Sequence, residues 1–480
     1  MFTQNSKLWI VILSIIIASY SFGQNINDAL RLGINGLGSN ARALGMGNSY
    51  IAISDDASAS FFNPAGFGLI KRLEFSGGIE HNIVNNEATF FNNKSDYSNS
   101  TTQLNRLSFA FPFPTMRGSL VFGLSYHRTK DFTSALKFDG FNPNNNSLIQ
   151  DLENTNIPYD LFLSDDSGYV SVINGRLNQS GDILTEGSVD NWTFSGAIEI
   201  QKNFFIGGNL SIISGDYNSV NDYFEDDNIG IYANVETAPG YPETMGFKTF
   251  ELNRVLDWEL SGWDFKLGML YQFHDFARFG ATIQFPKYYT VKEKFTVNGS
   301  SEFATTFYEL NPEDYSDEVE FDIITPFTFS AGFSINLAGL VANAEVSLTN
   351  YSELEFDNPQ GISDSYFANQ NKLIKDQLGT VLAYNVGAEY TIPVIGLRLR
   401  GGYFTIPSAY KEDPSTFDKK YLTAGLGFLT SEMIGIDIGY AHGWWEDFGD
   451  NYSGPNGEIQ SRTFQKLTND HLMLSFTYRF

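Results

Sequence analysis

Residues 32–68 read LGINGLGSNARALGMGNSYIAISDDASASFFNPAGFG, and this stretch decides the fold that we expect for the chain. It is so rich in glycine, serine, asparagine and alanine that it cannot form a hydrophobic core of its own. Its short apolar clusters, Leu44 with Met46 and Phe61 with Phe62, lie between turns and must be buried against other residues. Its glycines allow the backbone to approach a neighbouring surface closely. We therefore expect the rest of the chain to form a wall around it.

The wall is predicted from fourteen runs after residue 72 in which apolar and polar side chains alternate. Residues 327–335, FTFSAGFSI, show the pattern, with one apolar face and one face of small or polar residues. Each run has about nine to eleven residues, which is the length that a tilted strand needs to cross a membrane. Alternation alone also fits a soluble β-sandwich, since both structures bury one face of a sheet.

Two further features favour a membrane barrel. The polar faces of the runs carry charged residues, among them Lys266, Glu345 and Glu389, which a water-lined or plugged lumen tolerates. The connections alternate between short turns and long loops, as an up-and-down barrel with short periplasmic turns requires. The predicted fold class is therefore all-β: a 14-stranded antiparallel transmembrane β-barrel over residues 72–480, plugged by an N-terminal hatch with short helices over residues 24–71. A barrel of this width leaks unless its lumen is filled.

Residues 1–23 are predicted to be a signal peptide, because Lys7 precedes a short apolar run and a small-residue cleavage site. The alternative, a single transmembrane anchor, needs about twenty apolar residues, more than this run supplies. The sequence contains no cysteine, which excludes a lipoprotein anchor, a disulfide framework and thiolate metal sites. The net charge of −26 argues against a nucleic-acid partner, because phosphate binding needs clustered cations.

Residues 41–66, ARALGMGNSYIAISDDASASFFNPAG, resemble the N-terminal hatch of the FadL/TodX family, outer-membrane transporters of long-chain fatty acids and other hydrophobic compounds. A glycine-rich run, an acidic DDAS step and an Asn-Pro-Ala sequence follow one another in the order typical of that hatch. Beyond about residue 72 the resemblance is architectural. It implies a location in the outer membrane of a Gram-negative bacterium, passive transport and no cofactor.

The resemblance also implies where a ligand would bind. In the family the mature N-terminus reaches an internal pocket and moves when ligand binds, and a kink in the third strand provides a side exit, for which Gly123 is the candidate here. The corresponding ligand-binding residues of the N-terminus and hatch are Asn25, Ile26, Leu30, Leu44, Met46, Phe61, Phe62, Asn63, Pro64 and Ala65.

The loops over residues 217–262 and 286–326 would form an exposed apolar groove for first capture, again by resemblance. The candidates in it are Phe247, Phe250, Trp258, Phe303 and Phe307. The alternative is that these aromatic side chains pack the loops against each other, and the two interpretations are compatible.

A fatty acid needs an apolar slot for its tail and a cation for its carboxylate. The candidate cations on the lumen faces are Arg106, Lys266, Arg398 and Arg400. The alternative is that they form ion pairs across the wall with Glu199, Glu345, Glu389 or Asp437.

The long loops are acidic, which fits either divalent-cation contact with lipopolysaccharide, a Ca²⁺ site or simply a solvated surface. No EF-hand-like spacing occurs, so no metal site is predicted. Catalytic residues are not predicted either. Ser125 and His127 share a strand face, but a pair at i and i+2 seldom has the geometry of a nucleophile and its base, and no G-x-S-x-G occurs.

The predicted function is passive uptake of long-chain fatty acids or other hydrophobic small molecules through a hatch-gated barrel, by a monomer in contact with outer-membrane lipid and lipopolysaccharide. The alternative is a FadL-like barrel that serves as a shuttle or scaffold component of a protein secretion system. A continuous apolar tunnel from the loops to the hatch would favour transport, and a polar, packed interior would argue against it.

Overall fold

The computed structural model describes residues 24–153, 155–165, 170–430, 433–453 and 459–480, so the predicted signal peptide lies outside the described residues. The strands are β1 Glu74–Phe90, β2 Asn93–Phe113, β3 Leu120–Asp131, β4 Ser134–Phe141, β5 Asn178–Gln201, β6 Phe204–Asp226, β7 Thr249–Phe273, β8 Ala277–Gln284, β9 Tyr288–Glu302, β10 Phe307–Glu309, β11 Ser316–Ile324, β12 Thr328–Leu337, β13 Leu340–Asn350, β14 Glu355–Gln360, β15 Thr380–Thr391, β16 Leu397–Ile406, β17 Lys419–Thr430, β18 Ile434–Ser453 and β19 Ile459–Arg479. The α-helices are α1 Ile26–Gly33, α2 Ala41–Gly45, α3 Leu148–Asp151, α4 Ile157–Asp160 and α5 Asp364–Gln377.

Fourteen of these strands form one closed antiparallel wall, which confirms the predicted barrel. Its members are β1, β2, β3, β5, β6, β7, β8, β12, β13, β15, β16, β17, β18 and β19. The wall closes where β19 pairs back onto β1, with Glu74 opposite Arg479 at one end and Thr89 opposite Phe464 at the other. Closure leaves no free sheet edge in the hydrocarbon, where unpaired backbone groups are costly.

Because apolar and polar residues alternate along each strand, the apolar side chains face outward and the polar ones face the lumen. Outward-facing apolar residues remain exposed, as Phe329, Leu382 and Leu422 show with 50%, 58% and 60% of their surface accessible. Their polar neighbours, such as Thr423 and Ser475, face inward and are buried. An apolar outer band around a polar interior is the construction of a transmembrane β-barrel.

The wall is taller than the sequence pattern predicts at the end that carries the long connections, which we call the outer end. Strands β5, β6 and β7 have 24, 23 and 25 residues, so much of the predicted loop 217–262 is β-structure. The extensions are stabilised by extra strands: β4 pairs with β5, and β9 pairs with the first half of β7 and with β11. These pairings join distant segments, which explains why local alternation does not mark them.

Residues 24–70 lie inside the barrel as a chain of short helices and turns. Asparagine and aspartate side chains begin these helices: Asn25 caps α1, Asn40 caps α2, and Asp56 and Asn63 cap the 3₁₀ turns Ala57–Ser60 and Pro64–Leu69. The turn Pro64–Leu69 packs on β5, β6 and β7, and α2 packs on β16 to β19. Within the described residues, no helix is long and apolar enough to cross a membrane.

Candidate functional site

Glycines of the wall allow the hatch backbone to lie directly on the lumen face of the strands. A Cβ atom at Gly207 on β6 would come within 2.5 Å of the carbonyl carbon of Pro64. One at Gly280 on β8 would lie 2.5 Å from the carbonyl oxygen of Ile51. Ordinary contacts of a Cβ atom begin near 3.4 Å. The hatch and the wall therefore fit only because these positions have no side chain.

Arg42 of α2 holds the hatch to the wall through ionic contacts. Its Nε and Nη2 atoms each donate at 2.9 Å to the carboxylate of Glu389 on β15, and its Nη1 donates to Asp55 at 2.7 Å. Glu389 also accepts a hydrogen bond from Arg400 at 2.7 Å, and Asp55 accepts one from Arg278 at 3.1 Å. Removing one partner of a buried ion pair is strongly destabilising, so this network fastens the hatch.

Polar side chains of the wall satisfy the hatch backbone where it has no regular structure. Glu345 on β13 accepts hydrogen bonds from the amides of Tyr50 and Ile51, at 2.9 and 3.0 Å. Asn385 on β15 donates to the carbonyl oxygen of Asn48 at 2.9 Å. The charged and polar residues that face the lumen thus act largely as anchors of the hatch.

Helix α1 lies in an apolar chamber at the outer end of the lumen. Ile26, Ala29, Leu30 and Leu32 pack there against a buried cluster that includes Phe132, Tyr217, Trp258, Leu260, Val291, Phe321, Leu354, Phe356 and Phe367. The guanidinium of Arg31 stacks over Tyr217 at 4.2 Å and lies 5.3 Å from the ring of Trp258. The chamber is therefore a hydrophobic site that the N-terminal helix of the protein itself occupies.

A buried carboxylate, Glu293 on β9, ties α1 to this chamber. Gln24 donates to one oxygen of Glu293, and Trp258 Nε1 donates to the other at 2.8 Å. Burial raises the pKa of Glu293 to about 7, and nearby Asp28 adds to this, while the two hydrogen bonds oppose it. Sequence reasoning did not identify Glu293, because only the tertiary pairing of β9 with β7 brings it beneath the N-terminus.

Two adjoining cavities lie between the outer loops and the hatch. The outer cavity has a volume of about 540 Å³ and is bordered by one face of α1, with Leu30 and Arg31, and by Phe132, Tyr217 and Tyr410. The inner cavity has a volume of about 190 Å³. The two share the lining residues Ile34, Asn35, Gly36, Thr129, Ile406 and Pro407. A molecule that leaves the outer cavity toward the hatch meets this shared boundary first.

The inner cavity is lined mostly by polar residues. They include Asn191, Asn209, Asp264, Lys266, Gln284, Lys287 and Glu345, with Phe61, Phe62 and Phe404 among the apolar ones. Lys266 donates to the carbonyl oxygen of Phe61, and Lys287 Nζ donates to Asn35 Oδ1 at 2.7 Å. For transport we expected a continuous apolar tunnel from the loops to the hatch. The inner cavity does not provide one, because most of the residues that line it are polar.

The structure brings three of the ten predicted ligand-binding residues of the hatch and N-terminus to a cavity wall. Leu30 borders the outer cavity, and Phe61 and Phe62 line the inner one. The other seven have structural contacts. Asn25 caps α1 and Ile26 packs in the apolar chamber. Leu44 and Met46 pack in buried clusters, while Asn63, Pro64 and Ala65 lie on the wall at β6 and β7.

The four candidate carboxylate-binding cations differ in their surroundings. Lys266 lines the inner cavity. Arg400 forms the ion pairs of the alternative interpretation, with Glu389 at 2.7 Å and Asp437 at 2.6 Å. Arg398 borders a small polar cavity on the opposite side of the hatch, and Arg106 is buried close to Asp56. A further cation that sequence reasoning did not select, Lys287, also faces the inner cavity.

Most of the proposed capture-groove aromatics are buried, so the packing alternative describes them. Phe247, Phe250 and Phe303 lie in a closed cluster beneath the outer loops, and Trp258 lies in the α1 chamber. Phe307 alone of the five is exposed, at 55%. The expectation that these aromatic side chains are exposed is wrong for four of the five. β7, β9 and β10 pair into a sheet, and apolar residues of segments 148–163 and 232–247 cover the apolar face of that sheet.

The wall is regular and closed at Gly123, the candidate side exit. Gly123 on β3 is paired with Ala110 on one side and with Ser195 on the other. The ring of Phe67 covers its lumen face, leaving no room for a Cβ atom. The glycine therefore accommodates a hatch side chain, and the pairing of β3 continues through this position without a register shift.

The sequence matches no protein-family model and no curated protein. The fold matches solved structures along nearly the whole chain. A Pseudomonas aeruginosa FadL homologue superposes with a TM-score of 0.58 at 12% identity, over 92% of this chain and 98% of that one. The P. putida toluene transporter TodX superposes with a TM-score of 0.56 at 13% identity, over 92% and 99% of the two chains.

A third solved structure, the CymD monoaromatic hydrocarbon channel, gives a TM-score of 0.51 at 14% identity, over 92% of this chain and 98% of that one. At such identities the likeness establishes a shared fold, the one that the hatch sequence predicts. The exposed apolar band of the closed wall is the surface that a transmembrane β-barrel presents to lipid.

Proposed function

We propose that this barrel is a passive transporter that admits hydrophobic small molecules, either long-chain fatty acids or hydrocarbons, across the outer membrane. The observation that carries the proposal is the apolar chamber around α1, which adjoins a chain of cavities inside a closed wall. Apolar pockets with a few polar groups are the usual form of small-molecule sites. The solved structures of similar fold include a toluene transporter and a monoaromatic hydrocarbon channel.

The ligand first meets the outer cavity, where Leu30, Phe132 and Tyr217 offer apolar surface. Helix α1 occupies the adjoining chamber, and in the FadL/TodX family the N-terminus moves when ligand binds. We expect a ligand to displace α1 and the shared boundary at residues 34–36, while the rest of the hatch stays on the wall. Gating by the N-terminal part of the hatch is thus part of the proposal.

Lys266 and Lys287 make the fatty-acid version of the proposal testable. Both face the inner cavity, and their present partners are a backbone carbonyl and an asparagine side chain. A carboxylate is a stronger acceptor for an ammonium group than either of these. A fatty acid would therefore gain contacts that a hydrocarbon would not.

The test is uptake of radiolabelled oleate and toluene by a Gram-negative host that lacks its own FadL-type barrel. Cells that carry the protein in their outer membrane should take up one or both compounds faster than cells with an empty vector. Lys266→Met should lower oleate uptake and leave toluene uptake unchanged if the carboxylate contact exists. Equal uptake with and without the protein, for both compounds, would overturn the transport proposal.

The polar lining of the inner cavity favours a second candidate, a shuttle or scaffold role in a protein secretion system. The acidic outer loops would then contact a protein partner, whereas in the transport proposal they contact lipopolysaccharide around a monomeric barrel. Deletion of the gene separates the two roles. Secreted proteins that accumulate in the periplasm, with uptake of oleate and toluene unaffected, would support the secretion role.

A further inference from the structure

The ionic contacts of Arg42 belong to a larger network between the hatch and the wall, at the end of the barrel that carries the short turns. Arg42 also donates to the hydroxyl of Tyr50 at 3.1 Å, and that hydroxyl donates to Asp56 at 2.7 Å. The backbone amide that follows Asp56 donates to Glu74 on β1, which accepts from Arg479 on β19, both at 2.7 Å. One set of ion pairs and hydrogen bonds therefore extends around the hatch from β15 to β1.

The charges of this network do not balance. Its six arginines are Arg42, Arg106, Arg278, Arg398, Arg400 and Arg479. Its five carboxylates are Asp55, Asp56, Glu74, Glu389 and Asp437. Most of these groups are buried or half-buried, and a charge that is removed from water without a partner is costly. The network thus carries a surplus of one positive charge.

Arg398 on β16 is the arginine without a carboxylate of its own. In the part of the chain that the structure describes, it forms no ion pair within 4.0 Å, and its buried Nε has no hydrogen-bond acceptor. The nearest carboxylates already have other partners: Glu389 accepts from Arg42 and Arg400, and Asp437 lies 2.6 Å from Arg400. Because Arg398 and Arg400 are two residues apart, they share the lumen face of β16 and their charges repel.

A small cavity lies beside Arg398. Two further arginines, Arg42 and Arg479, line it together with the carboxylates Asp56 and Asp437. The remaining lining is Phe428, Leu429, Met433, Gly435 and Thr477. Three guanidinium groups against two carboxylates leave a surplus of one positive charge at the cavity itself. Its volume is about 20 Å³, which is room for one particle of the size of a water molecule.

We propose that this cavity is a binding site for a single monatomic anion, chloride, held by Arg398 with Arg42 and Arg479. Chloride is close to water in size and accepts several N–H donors at once, whereas phosphate or the carboxylate of a fatty acid with its chain exceeds the space. The anion supplies the missing negative charge and reduces the repulsion among the arginines. It thereby stabilises α2 on the wall. The proposal goes beyond transport and does not depend on it.

The test measures amide hydrogen exchange of residues 41–56 in detergent micelles, in sodium gluconate into which sodium chloride is titrated at constant ionic strength. Exchange of the parent protein should slow with chloride and then saturate. At a chloride concentration ten times its dissociation constant, the reduction should be roughly tenfold. A chloride titration without any effect on the parent would refute the site.

Arg398→Gln is the decisive variant, and Arg117→Gln, on an exposed turn, is its matched control. Loss of Arg398 removes the surplus charge, so the saturable chloride effect should disappear. In gluconate alone this variant should exchange no faster than the parent, because no ion pair has been broken. Arg117→Gln should retain the full chloride effect. A saturable effect that persists in Arg398→Gln would place the anion elsewhere and overturn the proposal.

A second measurement locates the anion directly. Crystals of the parent protein grown in sodium bromide should show an anomalous scattering peak against the guanidinium of Arg398, since bromide replaces chloride in such sites. Crystals of Arg398→Gln should lack this peak. A water molecule in the cavity of the parent crystals, without anomalous signal, would refute the anion site whatever the exchange result.

Discussion

Gly207→Ala tests whether the hatch is held by close backbone contact with the wall. The new Cβ atom would lie 2.5 Å from the carbonyl carbon of Pro64 and 2.6 Å from both the amide nitrogen of Ala65 and the carbonyl oxygen of Pro64. All three are backbone atoms, so no flexible side chain can move aside. Restoring an ordinary contact of 3.4 Å from 2.5 Å requires a shift of 0.9 Å in the hatch or in β6.

The free-energy cost follows from this overlap. Overpacking of a well-packed interior typically costs roughly 2 kcal/mol, and 1.4 kcal/mol corresponds to a factor of about ten in an equilibrium. The fraction of molecules with this part of the hatch displaced should therefore rise roughly thirtyfold. The same shift strains the contacts of Asn63, which donates to Met269 at 3.0 Å and accepts from the amide of Ala65 at 3.1 Å.

The assay is amide hydrogen exchange of residues 63–70 in detergent micelles, with ion conductance across planar bilayers as a second readout. Gly196→Ala is the matched control: Gly196 lies on the neighbouring strand β5, and a Cβ atom there finds its nearest neighbour at 3.6 Å. The control should behave as the parent protein. If Gly207→Ala and Gly196→Ala exchange at the same rate, close contact at the wall glycines does not hold the hatch.

Three further changes address the ionic network, the outer loops and the capture residues. Arg42→Gln should speed amide hydrogen exchange of residues 41–56 by a factor of roughly one hundred, since losing one partner of a buried pair costs about 3 kcal/mol. The control variant Arg117→Gln, on an exposed turn, should leave this exchange unchanged. Burial raises the pKa of Glu225, at the outer end of β6, to about 7. Between about pH 4.5 and 7 the native state therefore keeps a proton that the unfolded state releases, and the stability of this region should fall as the pH rises through that range. Glu225→Gln should remove that pH dependence from hydrogen exchange of residues 148–152. Phe303→Ala should destabilise the loops by about 3–5 kcal/mol in urea titrations, whereas the exposed Phe307→Ala should change stability little.

The wall of this protein could be predicted from sequence because apolar and polar residues alternate within each strand, which shows which of its two faces is apolar. The alternation in residues 327–335 reports a lipid-facing and a lumen-facing side without reference to any other segment. The outer extensions carry no comparable local signal, since β9 becomes a neighbour of β7 only in the three-dimensional structure. Whether Phe250 is exposed or buried depends on that pairing. The sequence alone therefore could not decide between an exposed capture groove and packing of the loops against each other.

The candidate site was predictable only in part, for a related reason. The glycines of the hatch indicated close contact, but the wall supplies matching glycines such as Gly207 and Gly280, and a glycine on a strand's polar face reveals its partner only in three dimensions. Arg400 and Glu389 could be placed on lumen faces, yet only the structure shows that Glu389 accepts hydrogen bonds from both Arg400 and Arg42.

The contacts of the hatch indicate which part of it a ligand could displace. Passage straight through the lumen requires Arg42 to leave two carboxylates, one of them buried and one half-buried, and Glu345 to release two buried backbone amides. Each such group would have to be resolvated or left unpaired, and together these costs exceed what an apolar ligand with no energy source supplies. Helix α1 is held differently, because its buried residues Ile26, Leu30 and Leu32 make apolar contacts in their chamber. An apolar ligand that replaces these contacts gains burial itself, at roughly 25 cal/mol per Å² of apolar surface. A fixed middle of the hatch and an N-terminal helix that a ligand could displace are therefore two consequences of the same construction, in which polar wall residues hold the plug and an apolar chamber holds α1.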